Sequence, residues 1–376
     1  MKKIFKMMLI TLALSLAGGA TIGCAKSESD NFATKSQKTT LQIAKIGTAP
    51  LDNPMLELAE IEGYLDKYGV ALDYSVCEMS LIAETMGLGK ADASYVGYTK
   101  QFESATNGAD LVYFAGTITG GTVLFCRKED YEELSNPENW KGKTIVSEPK
   151  DTAELVIADA LKEKYNYTEN MDYTHISADN PANGLLGVQK GNADIAAFVS
   201  QFTDTAESLG LIKLAYLNDL YPGYICCRQV AYGKSLRENR DSFVAYLKAQ
   251  ICALKDLYDD EKIAISLLSQ KSGETENYVK SYVYDMDNNG YRIYNTDPLY
   301  NITKSVYEIM VHNGYVEEGT EFSTVTDISI YAEALKELIK ENPDEEWYKE
   351  KWEEFVENNN EYPGFDETYG DGYLES

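Results

Sequence analysis

Histidine is nearly missing from this chain: His175 and His312 are the only two in 376 residues. With no His-Glu-x-x-His run and no Cys-x-x-Cys pair, a zinc centre or a histidine-driven nucleophile is poorly supplied. Cysteine is sparse and irregular. Beyond Cys24 stand Cys77, Cys126, Cys226, Cys227 and Cys252, an odd number at uneven spacing that makes no disulfide framework. Cations are outnumbered, 34 Lys and Arg against 61 Asp and Glu, for a net charge of -27. Such a surface repels nucleic acid and anionic lipid headgroups, which weakens a reading as a DNA binder or a peripheral membrane protein. Past the amino terminus no apolar run is long enough to cross a bilayer, and no period of solenoid type recurs.

What is present begins at the amino terminus. Lys2, Lys3 and Lys6 precede an uncharged apolar run from Met7 to Leu16, which closes in the small residues Ala17 to Gly23 before Cys24. That order is the n-region, h-region and cleavage site of a secretory signal, so residues 1–23 are expected to be a signal peptide. A lone cysteine after Ile22-Gly23 resembles the lipobox of bacterial lipoproteins, in which the thiol is lipidated and becomes the new terminus. Thr21 departs from the leucine usual in that box. Lipidation at Cys24 and a flexible Ser-, Lys-, Asp- and Thr-rich tether over 24–40 are the expectation. Removing three lysines with the leader takes the charge from -27 to about -30.

Two stretches of the remaining chain echo each other. Gly89-Lys90-Ala91-Asp92 runs into Ala93-Ser94-Tyr95-Val96-Gly97, and Gly191-Asn192-Ala193-Asp194 runs into Ile195-Ala196-Ala197-Phe198-Val199. Each reads as a helix that stops at glycine, turns at Asp and feeds a short apolar strand. The roughly 335 residues after the leader and tether exceed what one core usually serves, so two lobes are expected. The reading is an α/β chain of two lobes facing each other across a cleft: lobe 1 over 41–126, lobe 2 over 127–226, a mostly helical return to lobe 1 over 227–325, and an acidic helical extension over 326–376. The strands Val123–Arg127 and Tyr224–Val230 are the two expected hinge crossings. A first strand Leu41–Ile46, a helix from about Asn53 to Lys67 and a strand Val70–Cys77 open lobe 1, and the acidic run Glu341 to Glu361 is expected to be a solvated helix face.

The order of motifs resembles the solute-binding proteins of bacterial importers for nitrate, sulfonate and taurine, and the related thiamine-pyrimidine-precursor proteins. The segments that carry the likeness are Ala59 to Val70, Gly89 to Gly97, Asn107 to Val112, Asn139 to Val146 and Gly191 to Asp194. The resemblance covers about residues 41 to 260, and nothing after Tyr284 matches. It implies a two-lobed periplasmic-binding-protein fold of type II, and a monomer that needs no cofactor, takes a small solute between its lobes, passes it to an ABC transporter permease and ATPase, and is held to the membrane through Cys24.

In such a fold the ligand lies where strand ends and helix N-termini of both lobes converge, and unpaired N–H groups there favour an anion or a polar group. Thr48, Asn53, Tyr98, Thr99, Thr122, Thr152, Ser200 and Gln201 occupy such junctions and are the expected ligand-binding residues. The same threonines and Asn53 are also what any helix start uses. Tyr95 and Phe198 are expected in the core. Arg127 and Arg228 could clamp an anion or pair with surface carboxylates. The vicinal Cys226-Cys227 reads as two small residues in a crossing strand, with a redox or metal role as the other reading. A pyrimidine-precursor synthase-like enzyme of the same fold, or a ligand-sensing module for a membrane receptor, would use the same cleft.

Overall fold

The computed structural model describes residues 38–47, 51, 53–178, 180–370 and 372–375. The expected signal peptide, Cys24, most of the tether and Thr48 lie outside the described residues. The strands in chain order are β1 Thr39–Lys45, β2 Val70–Val76, β3 Ala93–Ser94, β4 Leu111–Thr119, β5 Thr122–Arg127, β6 Thr144–Ser147, β7 Thr174–Ser177, β8 Ile195–Val199, β9 Leu211–Tyr216, β10 Ile225–Tyr232 and β11 Ile293–Tyr294. They form two sheets, one ordered β11-β4-β10-β3-β1-β2 and the other β7-β6-β8-β5-β9. Helices cover both, so this is an α/β fold of two layers joined by two passages of the chain.

The echo is the registration device of each sheet. Asp92 Oδ2 accepts from the main-chain N–H of Gln42 in β1 at 2.7 Å, and Asp194 Oδ2 accepts from that of Thr144 in β6 at 2.8 Å. Each aspartate also donates its own N–H to the carbonyl of the same residue. The pair of bonds fixes the parallel register of the incoming strand, β3 on β1 and β8 on β6. Gly89 and Gly191, with φ of 66° and 77°, end the preceding helices in the left-handed region that glycine tolerates.

In the second sheet alternate residues of β5 face opposite ways. Leu124 and Cys126 join one buried cluster with Ile157 and Trp140, while Val123 and Phe125 join another with Leu185 and Phe198. A strand buried on both faces reads as a continuous apolar run. The first sheet shares a single large cluster with the helix Arg240–Asp259 and the helices after it.

Several expectations change. The helix expected from Asn53 to Lys67 is two, Pro54–Ile61 and Tyr64–Lys67, separated at Gly63 with φ 76°. β3 stops at Ser94, so Tyr95 is buried, as expected, but outside the ladder. β5 belongs wholly to the second sheet and β10 to the first. The passages between sheets therefore run through Gly120-Gly121 and through Tyr221 to Tyr224, just ahead of the two strands expected to make them. Two strands were not anticipated: the edge strand β9 and the two-residue β11. The carboxy-terminal helices are part of the core. Tyr331, Leu335 and Leu338 of the helix Ser329–Glu341 and Phe355 of the helix Glu346–Asn359 are at most 1% exposed. Lys248 is sandwiched between the Tyr68 ring, 4.5 Å from its centroid, and the carboxylates of Glu337 and Glu341.

Candidate functional site between the two sheets

The ends of β3 and β6 lead into helices Thr99–Thr106 and Thr152–Tyr165, whose first turns meet. Thr99 Oγ1 donates to the carbonyl of Lys150 at 2.6 Å. Asp151 caps the second helix, its Oδ1 accepting from the N–H of Glu154 at 2.9 Å. Thr152 stands beside Tyr98, a fully buried residue whose hydroxyl has no hydrogen-bond partner at ordinary geometry among the described residues. Tyr98 is also within electrostatic reach of Arg228, Cys226 and Cys227 at the start of β10.

Two arginines are buried here. Arg228, 1% exposed, donates from Nε to Thr303 Oγ1 at 3.2 Å and from Nη1 to the carbonyls of Ile118 and Cys227 at 3.3 and 2.9 Å. Its Nη2 has no partner among the described residues. Arg292, 4% exposed, lies over the Tyr282 ring at 4.1 Å from its centroid and donates from Nη2 to Ser200 Oγ at 3.1 Å; its Nε and Nη1 have no partner at ordinary geometry among the described residues, the Tyr294 hydroxyl being the group that faces it. A guanidinium carries five N–H donors in a fixed fork and never accepts, so unmatched donors on two buried guanidiniums favour an acceptor with negative charge.

Of the two carboxyls nearby, Asp151 does not cancel that charge at neutral pH. Burial pushes Asp151 up to about 8, so it is mostly protonated at pH 7. Burial also raises Asp297, against hydrogen bonds from Asn359, Leu299 and Asn358 that hold it down. Arg228 is lowered by burial to about 10 and stays charged at neutral pH.

The arrangement depends on close backbone approach. Gly121 donates its N–H to the carbonyl of Gly290 at 2.8 Å, and a Cβ on Gly120 would stand 2.1 Å from the carbonyl oxygen of Tyr291. Only glycine lets the segment that carries Arg292 lie across the passage. On the other side the N–H of Thr122 donates to the Tyr224 hydroxyl at 2.7 Å, and Ser200 donates its own N–H to the carbonyl of Gly121.

Tyr98, Thr99 and Thr152 thus meet at one junction, and Thr122 and Ser200 at another, around Gly121. Asn53 caps its own helix, its Oδ1 accepting from Leu56 N–H at 3.1 Å, with a buried Nδ2 left without a partner among the described residues. Gln201 sits partly exposed in the turn after Ser200. Arg127 is no clamp: it donates to the carbonyls of Val188 and Ala193 at 2.7 and 2.9 Å and pairs with Asp130 and Asp194. The residue that sequence reasoning missed is Arg292. On its other side Arg228 borders a void of about 10 Å³ inside the first lobe, between β4 and the helix Tyr300–His312, room for one water.

The fold is that of two-lobed, type II periplasmic binding proteins. No family model and no curated protein matches the chain by sequence. Among solved structures it is similar to the nitrate-binding protein of Synechocystis PCC 6803, at 15% identity and TM-score 0.65 over 80% of this chain and 89% of that one. It is similar to a zinc-bound ligand-binding component of an ABC-type import system from Staphylococcus aureus, at 14% and 0.64 over 79% and 99%. It is similar also to the alkanesulfonate-binding protein of Xanthomonas axonopodis pv. citri bound to MOPS, at 15% and 0.61 over 78% and 99%. A desulfurization enzyme shares the fold as well, at 15% and 0.55 over 80% and 99%. At these identities the likeness defines the fold alone.

Proposed function

We propose that the chain is the extracytoplasmic solute-binding component of an ABC importer, anchored through Cys24, and that it takes a small oxyanion of the sulfonate or nitrate class. The observation that carries this reading is the pair of buried guanidiniums with unmatched donors, Arg228 beside the return passage and Arg292 on Ser200 after β8. A taurine-type sulfonate meets the same requirement through its acidic end, whereas a neutral pyrimidine precursor leaves both charges unanswered. Binding across the cleft favours the closed arrangement, and closure is what a transporter would read; such hinge closure is a general property of these binding proteins.

The test is a thermal-shift screen of the purified protein against nitrate, alkanesulfonates, taurine and pyrimidine precursors, followed by calorimetry on any hit. Stabilisation by an oxyanion supports the proposal. Stabilisation by a neutral pyrimidine alone would overturn the anion reading. The fold is also compatible with catalysis, and incubation with an aromatic sulfinate followed by assay for released sulfite separates an enzyme from a binder.

A further inference from the structure

In a regular strand neighbouring side chains point to opposite faces, so Cys226 and Cys227 in β10 should face apart. They do not. The ladder between β10 and β4 slips between Ile225 and Cys227 and again between Cys227 and Arg228, and the two sulfurs lie 3.5 Å from each other. Bulges of this kind re-aim side chains, and this one sits immediately after the return passage through Tyr224. Both cysteines keep part of their surface open, unlike Cys126 and Cys252, which are buried.

The two thiols are also unequal. Hydrogen bonding with the Cys226 thiol, the Gly97 main chain and the guanidiniums of Arg292 and Arg228 together draw Cys227 below the ordinary thiol range against its burial. Cys226 is pushed well above that range by the same contact with Cys227 and by burial. A thiolate is the reactive form of cysteine, and a reactive thiol with a second thiol in reach is the arrangement of an attacking and a resolving pair.

We propose that Cys226-Cys227 is a reversible oxidation site within the cleft, closing to a vicinal disulfide by exchange with a low-molecular-weight disulfide. The Cys227 thiolate attacks one sulfur of that disulfide, forming a mixed disulfide and expelling one small thiolate. Cys226 then loses its proton and attacks the Cys227 sulfur, expelling the second. Two protein thiols are oxidised by two electrons, the small disulfide is reduced to two thiols, and the two protons end on them. The strain of the ring that adjacent cysteines close falls on the peptide beside Arg228 and the return passage.

The experiment treats the full chain with oxidised glutathione under native conditions and maps its peptides by mass. The expected product is a peptide containing both cysteines that has lost two hydrogens and regains them with dithiothreitol. Cys226→Ser should trap glutathione on Cys227, whereas Cys227→Ser should leave Cys226 unmodified. Stable glutathione adducts on both cysteines of the wild-type chain, or modification of Cys77 with none in this peptide, would overturn the proposal. If a variant does not fold, the wild-type peptide decides alone. Neither result depends on which solute the cleft takes.

Discussion

Thr99 and Lys150 join the two layers of the molecule: the threonine hydroxyl donates to the lysine carbonyl at 2.6 Å, and the lysine ammonium returns to Glu103, four residues on from Thr99, at 2.8 Å. Lys150 adopts a left-handed φ of 55°, which a non-glycine residue keeps only where its surroundings hold it. Its N–H is fixed by Glu154 Oε2 at 2.8 Å.

Thr99→Val should therefore weaken solute binding by about five-fold, the worth of one neutral hydrogen bond of about 1 kcal/mol, with little change in melting temperature. X-ray scattering should give a smaller radius of gyration for wild-type protein with saturating solute than without. Tight binding with an unchanged radius would remove closure from the mechanism.

Arg292→Ala should lower oxyanion affinity by roughly ten- to a hundred-fold, the range of one charge-assisted hydrogen bond. Tyr98→Phe, Thr152→Val and Ser200→Ala should each cost less, and losses must come from both layers. Calorimetry that finds Thr152 and Ser200 silent while Tyr98 and Thr99 matter would assign the site to one sheet.

Affinity for an oxyanion should fall as pH rises past about 8, where the half-buried Asp151 carboxyl ionises. The sign for stability is the same. Burial raises this group above its ordinary 3.8, so the folded chain holds a proton that the unfolded chain releases. Stability drains away as pH rises from the ordinary value through about 8 and levels off beyond it. Asp151→Asn should flatten both profiles, measured by calorimetry and by urea unfolding across that window. An unchanged pH dependence would free Asp151 of either role.

Removing residues 327–376 should leave a chain that does not fold cooperatively. The lost helices carry Tyr331, Leu335, Leu338 and Phe355, all at most 1% exposed, and each large side chain taken from a core costs about 2–5 kcal/mol against a usual total of about 5–15. A soluble truncated chain with a sharp thermal transition would contradict this.

Cys24→Ala should move the protein from washed membranes into the medium or periplasm, since one lipid chain anchors only marginally and a diacylated cysteine supplies two. Retention of the variant would count against lipidation at Cys24.

Much of the fold was legible because it rests on local chemistry. The Gly-x-Ala-Asp turns before β3 and β8 could be read as turns, although not as the source of the paired bonds from Asp92 and Asp194 to neighbouring strands. The helix Glu346–Asn359 carried its own signal too: Tyr348, Trp352, Phe355 and Asn359 recur at helical spacing, hidden by the acids between them. Arg292 had no such signal. Its partner Ser200 lies 92 positions away, and the strand that brings it, β11, is two residues long. It is held by pairing with β4 rather than by its own pattern. Cys226 and Cys227 were visible as a pair, but the double slip that turns their sulfurs together belongs to the ladder with β4 and not to their own residues.

At Gly120-Gly121 three passages of the chain touch, since Gly120 donates its N–H to the carbonyl of Tyr224 and Gly121 to that of Gly290. A clamp pivoting on two connections swings freely, but here a third segment bears on the pivot and carries one of the two arginines with it. Separation of the layers must shear Arg292 from Ser200 before the mouth widens. If the cleft takes an oxyanion as proposed, its departure should be the slow step, with a dwell time that lengthens for as long as this braced joint holds.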